Sequence, residues 1–510
     1  MVEILHTKRS LNNKSEMIKL KDNLLLLLIT TLGFALRISA ILADPFLHPW
    51  DERFHALVAR NMMTNPFVPI LRVNPITDNY DKFMWCCNHI WLHKQPLFMW
   101  QMALSMKIFG VSEWSMRLPS AIMGTILVLI IYRIAILLNV KKRVALLTAL
   151  LLACSNFHLQ LIAGIHGMDH NDVAHGFYVL ASIWALFEYQ KSKKWYWIIL
   201  VGVFSGCAIL NKWLTGLLVY LIWGVMLLLS ILKREIVKKE MVLFVCSLVV
   251  CCIVFLPWQF YILHRFHDLA VYEYEFNRKH ISEALEGHGG GYFYYFKYLK
   301  DLFGKFLYFC IPVGMVLSLK DKSINKKLNW GIFAAICFVF LFFSIVVKTK
   351  VDTFLFFIAP LVLLYISIAL DYVIRLLGKV IKPIYITPII FIICAIISLN
   401  PIWIKNYLSP NNIERNNRIY NANIYRNLNK YLPDSIHVVM NMNSFEDIDV
   451  MFYNKGITAY HWTLPEKDFK SFEQRKIPIA VFEPHGNYNL PDYVLKYPYL
   501  YIIKKKLKNF

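Results

Sequence analysis

Runs of about 20 apolar residues recur along this chain, each long enough to cross a hydrocarbon core of about 30 Å. They fall near 23–43, 116–138, 144–164, 172–189, 195–211, 213–232, 241–262, 299–318, 329–347, 352–374 and 384–402. Such a pattern predicts a polytopic membrane protein with eleven transmembrane helices. Composition agrees: 57% of the 510 residues are hydrophobic and 17% charged, against about 45–50% and about 25% in soluble chains. The formal net charge of +22 would suggest nucleic acid in a soluble protein. Here the Lys and Arg crowd the short gaps between runs, as in 141–143, 191–194, 233–239, 320–327 and 375–382. That is the positive-inside pattern, and no nucleic-acid partner is expected.

With the N-terminus inside, these gaps are cytoplasmic, and an odd number of spans puts the C-terminus outside. No small-residue cleavage site follows the basic N-terminus and first run, so the first run reads as an uncleaved span. Residues 1–407 form the expected membrane domain and 408–510 an expected outer α/β domain. The latter has a polar helical stretch, Ile413–Tyr431, then strand-like runs Ile436–Met440, Thr458–Trp462, Ile477–Phe482 and Tyr499–Ile503. Two outer loops are long, 44–115 and 264–298. Long loops often carry function. Within the first, Asp51–Thr64 and Pro96–Gly110 read as amphipathic helices lying in the interfacial plane.

Ionisable residues near membrane depth mark functional candidates. Asp51 and Glu52 follow the first span; Asp169 and Asp172 lie at the outer start of the fourth. Helix capping explains Asp51 and Glu52 equally well, and explains Asp169 and Asp172 less well, since these fall with His166 and His170 within seven residues. Lys94 and Lys212 lie at outer ends of their segments. They either snorkel to headgroups or cradle a lipid phosphate. His89 and His93, four apart, would share a helix face, beside Cys86 and Cys87; His280 and His288 sit in the other long loop. Eight of the ten Cys lie in apolar runs, so no disulfide framework is expected. No CxxC pair supports a structural zinc site.

The segment Asp51-Glu52-Arg53-Phe54-His55-Ala56-Leu57-Val58-Ala59-Arg60 resembles the first-loop signature of GT-C glycosyltransferases. Those it resembles most are the bacterial aminoarabinose (lipid A) transferases and protein O-mannosyltransferases. His93-Lys94-Gln95-Pro96-Leu97 is similar to that family's E-K-P-P-L. Residues 109–121, Asn211-Lys212-Trp213, residues 287–295 and residues 350–360 match further motifs in family order. The resemblance implies a GT-C fold and a donor sugar carried on polyprenyl phosphate. It implies Asp51 and Asp172 as the catalytic carboxylates, and Lys94, Lys212 and Arg53 as ligands of the donor phosphate. Glu52, Arg60, Asp169 and Lys350 would support them. His93 and His288 match positions where relatives hold a divalent metal, although His93 replaces the usual Glu. Phe54 stands where relatives often have a phosphate-binding Arg.

These residue types suit glycosyl transfer. Phosphate leaves readily once cations stabilise its charge, a carboxylate can take the acceptor proton, and direct attack inverts the sugar carbon. The expected protein is thus a bacterial inner-membrane transferase working on the periplasmic face. Its partners would be membrane lipids and a lipid-linked sugar, its acceptor a lipid, glycan or protein. The competing expectation is a transporter or flippase of lipid-linked sugars. Transporters usually show inverted repeats and midplane sites, and neither is visible in this sequence.

Overall fold

The computed structural model describes residues 2–77, 84–86, 88–166, 170–487 and 489–509, with side chains from residue 22 onward. It is a helical membrane bundle capped at one end by loops and a small parallel sheet. The first half contains α1 (Val2–Ala43), α2 (Asp51–Met62), α3 (Leu97–Phe109), α4 (Glu113–Leu137), α5 (Lys142–Ala153), α6 (Asn156–Ile162) and α7 (His170–Ser192). Then follow α8 (Tyr196–Lys212), α9 (Leu218–Leu232), α10 (Lys238–Arg265) and α11 (His267–Ser282). The rest of the bundle is α12 (Leu299–Phe303), α13 (Cys310–Lys320), α14 (Lys326–Leu341), α15 (Ala359–Leu377), α16 (Pro383–Leu399) and α17 (Pro401–Tyr407).

Among the described residues, seven helices are long and apolar enough to cross a membrane, or nine if each of two bent pairs is one span. The protein is therefore multi-pass. Two of the eleven expected spans fall outside that count. The first is α7, which carries His170, Asp172, His175 and Glu188 and is less apolar than its neighbours. The second arises because residues 196–232 count as one apolar stretch. The chain nevertheless reverses within it. Ser205 Oγ donates to Gly216 O at 2.8 Å, whereas a continuous helix would hold these residues about 16 Å apart.

The basic gaps meet at one end of the bundle. Asn139 donates to Ser323 O at 2.7 Å, Arg143 and Arg375 both pair with Asp371, and Lys327 pairs with Glu235. The helix α4 spans about 37 Å. It starts at Glu113 beside Arg426 and ends where Leu138 O accepts from Asn325 N. The outer loops thus gather at the far end from the basic gaps.

Residues beyond α17 form α18 (Ile413–Arg426), α19 (Asp447–Tyr453), α20 (Glu466–Gln474), α21 (Asp492–Leu495) and strands β1 (Val438–Met440), β2 (Thr458–Tyr460), β3 (Ile479–Phe482) and β4 (Leu500–Ile503). All pairings are parallel, in the order β2-β1-β3-β4. Fully buried runs such as Ile479–Phe482 suit a parallel sheet covered on both faces. This unit does not pack alone. Phe54, Met62 and Trp91 of the first loop share one apolar core with Tyr425, Met451 and Phe482.

That shared core corrects one expectation. Nearly every residue of α2 is buried, so α2 is enclosed by protein instead of lying on lipid. By contrast, α3 exposes Leu104, Ile108 and Phe109. A second correction concerns His89 and His93. Their segment is extended, pinned by Leu71 N to His89 O and Trp91 N to Pro69 O, both 2.7 Å, so the two do not share a helix face.

Candidate active site

The residue before α2, Trp50, has φ 65° and ψ −125°, and this turn starts α2 at Asp51. Successive helical residues point about 100° apart, so Asp51 and Glu52 face different surroundings. Glu52 turns inward. Arg117 donates to both its carboxylate oxygens, at 2.7 and 2.8 Å. His48 N donates to it at 2.6 Å, and His170 Nε2 lies 3.1 Å away. Burial pushes its pKa up, but Arg117 and these hydrogen bonds outweigh that and hold it well below the usual carboxylate range. Gly164 makes room for this anchor. Its φ is +78°, and a Cβ there would fall 2.0 Å from Glu52 Oε1.

Asp51 faces the site. Its Oδ2 lies 3.5 Å from Lys94 Nζ. Asp172, in the first turn of α7, accepts a hydrogen bond from Lys212 Nζ at the end of α8. Lys212 also lies over the Phe354 ring, 5.0 Å from its centroid. Asp51 and Lys94 are close enough to Asp172 to act on it through charge. Four ionisable side chains from separate segments therefore converge as two lysine–carboxylate pairs. Asp169 lies outside the described residues, as does Cys87.

The remaining expected residues take other places. Arg53, expected at the phosphate, turns toward the C-terminal unit. Its Nε is 3.3 Å from Asp449 Oδ2, and Nη1 donates to Ser444 O at 3.3 Å. Arg60 donates to Met451 O. Lys350 is buried and donates through Nζ to Phe343 O and Ser344 O, where α14 unwinds. His93 Nδ1 lies 3.1 Å from Glu273 Oε2 of α11, and its ring stacks on Trp85 at 4.9 Å. Burial pushes Glu273 up to about 8 and His93 well below 6.5. His288 is exposed, with its carbonyl accepting from Lys350 N at 2.8 Å. Among the described residues, no three His, Cys, Asp or Glu side chains form a set that could hold a metal ion. His93 and His288 thus do not assemble such a set.

Sequence reading missed Glu273, the anchoring role of Arg117 and the acids of α19. A signal for Glu273 was present: Glu273 and His280 are seven apart, two turns of one helix face.

A family model described as dolichyl-phosphate-mannose-protein mannosyltransferase matches residues 93–261. An uncharacterised protein of Aquifex aeolicus is 28% identical over 319 residues, covering 60% of this chain and 56% of its own length. The chain thus spans little more than half of that relative. ArnT from Cupriavidus metallidurans, in a crystal structure bound to undecaprenyl phosphate, matches with TM-score 0.62 and 15% identity over 89% of each chain. The archaeal oligosaccharyltransferase AglB from Archaeoglobus fulgidus, in complex with an inhibitory peptide and a dolichol phosphate, matches with TM-score 0.55 and 14% identity. It covers 85% of this chain and 64% of its own. The chain has the GT-C glycosyltransferase fold, of the kind seen in ArnT.

Proposed function

We propose that the protein is an inverting membrane glycosyltransferase that moves a sugar from a polyprenyl-phosphate donor to an extracytoplasmic acceptor. The observation that carries this reading is the convergence of the Asp51–Lys94 and Asp172–Lys212 pairs at the end of the bundle away from the basic gaps. The resemblance of the loop motifs supports it, as does the likeness in fold to ArnT bound to undecaprenyl phosphate. The positive-inside pattern supports placing the site and residues 408–510 on the non-cytoplasmic face, and the resemblance to the bacterial aminoarabinose transferases supports a bacterial inner membrane with that face periplasmic.

The donor phosphate takes the ammonium groups of Lys94 and Lys212, which stabilise the charge that develops as the sugar leaves. The same exchange releases Asp51 from Lys94. Its freed oxygen accepts the proton of the incoming hydroxyl. The acceptor's own oxygen, relieved of that proton, attacks the anomeric carbon from the side opposite the phosphate; the bond to the phosphate oxygen breaks, the polyprenyl phosphate leaves, and the carbon inverts. Asp172 holds Lys212 in place, and Glu52, fixed by Arg117, sets the start of α2. Arg53 has a structural part here, joining α2 to the C-terminal unit.

The test is transfer of labelled sugar by the purified protein in lipid nanodiscs, from undecaprenyl-phosphate- and dolichyl-phosphate-linked donors. Transfer supports the enzyme. Donor movement across the bilayer without transfer to any acceptor would favour the flippase instead.

A further inference from the structure

Five aromatic rings run in contact beside the Asp51–Lys94 pair. Trp50 lies 5.5 Å from Phe445, Phe445 6.0 Å from Phe54, Phe54 4.9 Å from Trp85, and Trp85 4.9 Å from His93. Phe54 is fully buried and underlies the others. Trp85 and Phe445 are partly exposed, and Trp50 is 56% exposed. The sequence neighbours of the two end rings are the site residues themselves: Asp51 follows Trp50, and Lys94 follows His93.

Two of these rings sit on strained backbone. Trp50 has φ 65° with ψ −125°, and Phe445 has φ 60°. Positive-φ conformations of large residues are uncommon and strained. Such strain persists where the surroundings enforce it, and it concentrates at ligand sites. Here it leaves a tryptophan face open to solvent beside a carboxylate. Phe445 belongs to the C-terminal unit, so the open face lies between that unit and α2. At the far edge, Glu286 accepts a hydrogen bond from Trp85 Nε1 at 2.8 Å and is itself exposed.

We propose that the surface of Trp50, Phe445 and Trp85, with Glu286 at its rim, is the acceptor subsite and takes a carbohydrate ring. This rests on the glycosyltransfer reading above. The donor phosphate occupies the lysine side of Asp51, so the acceptor hydroxyl must approach from another side, and Trp50 is next to Asp51. The chemistry selects the ligand class. The electron-rich face of an aromatic ring attracts the polarised C–H bonds on a pyranose face, and a carboxylate at the rim accepts hydroxyl protons. An acyl chain would have no use for Glu286. The C-terminal unit therefore supplies part of the acceptor site through Phe445.

The full chain in nanodiscs tests this by saturation-transfer NMR with maltotetraose, chitotetraose and a Ser/Thr-rich decapeptide. Undecaprenyl phosphate binding is measured in parallel. Wild type should transfer saturation to the ring protons of at least one glycan. The signal should fall about tenfold or more in Trp50→Gly and survive in Trp50→Tyr. Glycine suits φ 65°, so Trp50→Gly should melt no lower than wild type, separating lost binding from lost folding. Undecaprenyl phosphate affinity should stay within about twofold in both variants, since the phosphate contacts are unchanged. Equal glycan signals in wild type and Trp50→Gly would overturn the subsite. So would a Trp50-dependent signal from the peptide alone, or no glycan signal while undecaprenyl phosphate binds. Failure of wild type to bind undecaprenyl phosphate would instead overturn the donor reading beneath it.

Discussion

Arg117 of α4 closes on Glu52 of α2 with two parallel hydrogen bonds, 2.7 and 2.8 Å long, and both side chains are fully buried. Breaking a buried pair leaves one charge uncompensated, at a cost of about 3–5 kcal/mol. Arg117→Ala should therefore lower stability strongly and reduce folded yield, as read by thermal unfolding in detergent. Glu52→Gln should be milder, because the amide still accepts one of the two bonds. Equal melting of wild type and Arg117→Ala would contradict this anchor.

Gly164 is part of the same anchor. Gly164→Ala meets both a left-handed backbone and a Cβ 2.0 Å from Glu52. The prediction is a destabilised protein with reduced turnover, since the displaced Glu52 precedes α2's second turn. Wild-type melting and turnover in Gly164→Ala would show that Glu52 can move freely.

Asp44 ties the end of α1 to the end of α17 through Tyr407 at 2.5 Å and to the C-terminal unit through Arg415 at 2.6 Å, with His48 Nε2 at 3.2 Å. Burial alone would raise its pKa. These partners outweigh burial and bring it down to about 2. A depressed carboxylate stabilises the fold above its unfolded pKa of about 3.9, and that contribution disappears as pH falls through about 2. The difference corresponds to about 2.5 kcal/mol. Melting of wild type and Asp44→Asn should differ by a constant amount above pH 4 and converge toward pH 2. A gap independent of pH would rule out the carboxylate charge as its source.

Lys94 and Lys212 each keep a carboxylate partner and are expected to share one phosphate. Each charge-assisted bond contributes roughly 1.5–3 kcal/mol, so Lys94→Gln and Lys212→Gln should each weaken undecaprenyl phosphate binding about 10–150-fold. The double variant should fall short of the product, because the two act on one ligand. Unchanged affinity in both single variants would mean that they only snorkel.

Much of this architecture was legible because membrane burial writes long signals. The helices α2 and α3 appeared as amphipathic stretches within two residues of their observed ends, and all four strands lie within the expected runs. Asp51, Lys94, Asp172 and Lys212 were identified singly by residue type and motif. Their pairing was not, because it depends on how the ends of α7 and α8 meet the first loop. Arg53 shows why. One helical position separates Asp51, which faces Lys94, from Glu52, and one more turns Arg53 toward Asp449. Adjacency in sequence places a charge within a few ångströms of a site but not on its side of the helix. Burial of α2 was hidden for a related reason: its polar residues look solvated until Lys94 and Arg117 pair with Asp51 and Glu52, and α19 with Arg53 and Arg60.

The most direct measurement is turnover of labelled sugar from a polyprenyl-phosphate donor by wild type and Asp51→Asn, with donor binding measured on the same preparations. Asparagine keeps the size of Asp51 but cannot take the acceptor proton. The account predicts turnover lower by about 10²–10⁴-fold with donor binding retained. Near-normal turnover in Asp51→Asn would contradict it and place the chemistry elsewhere in the chain.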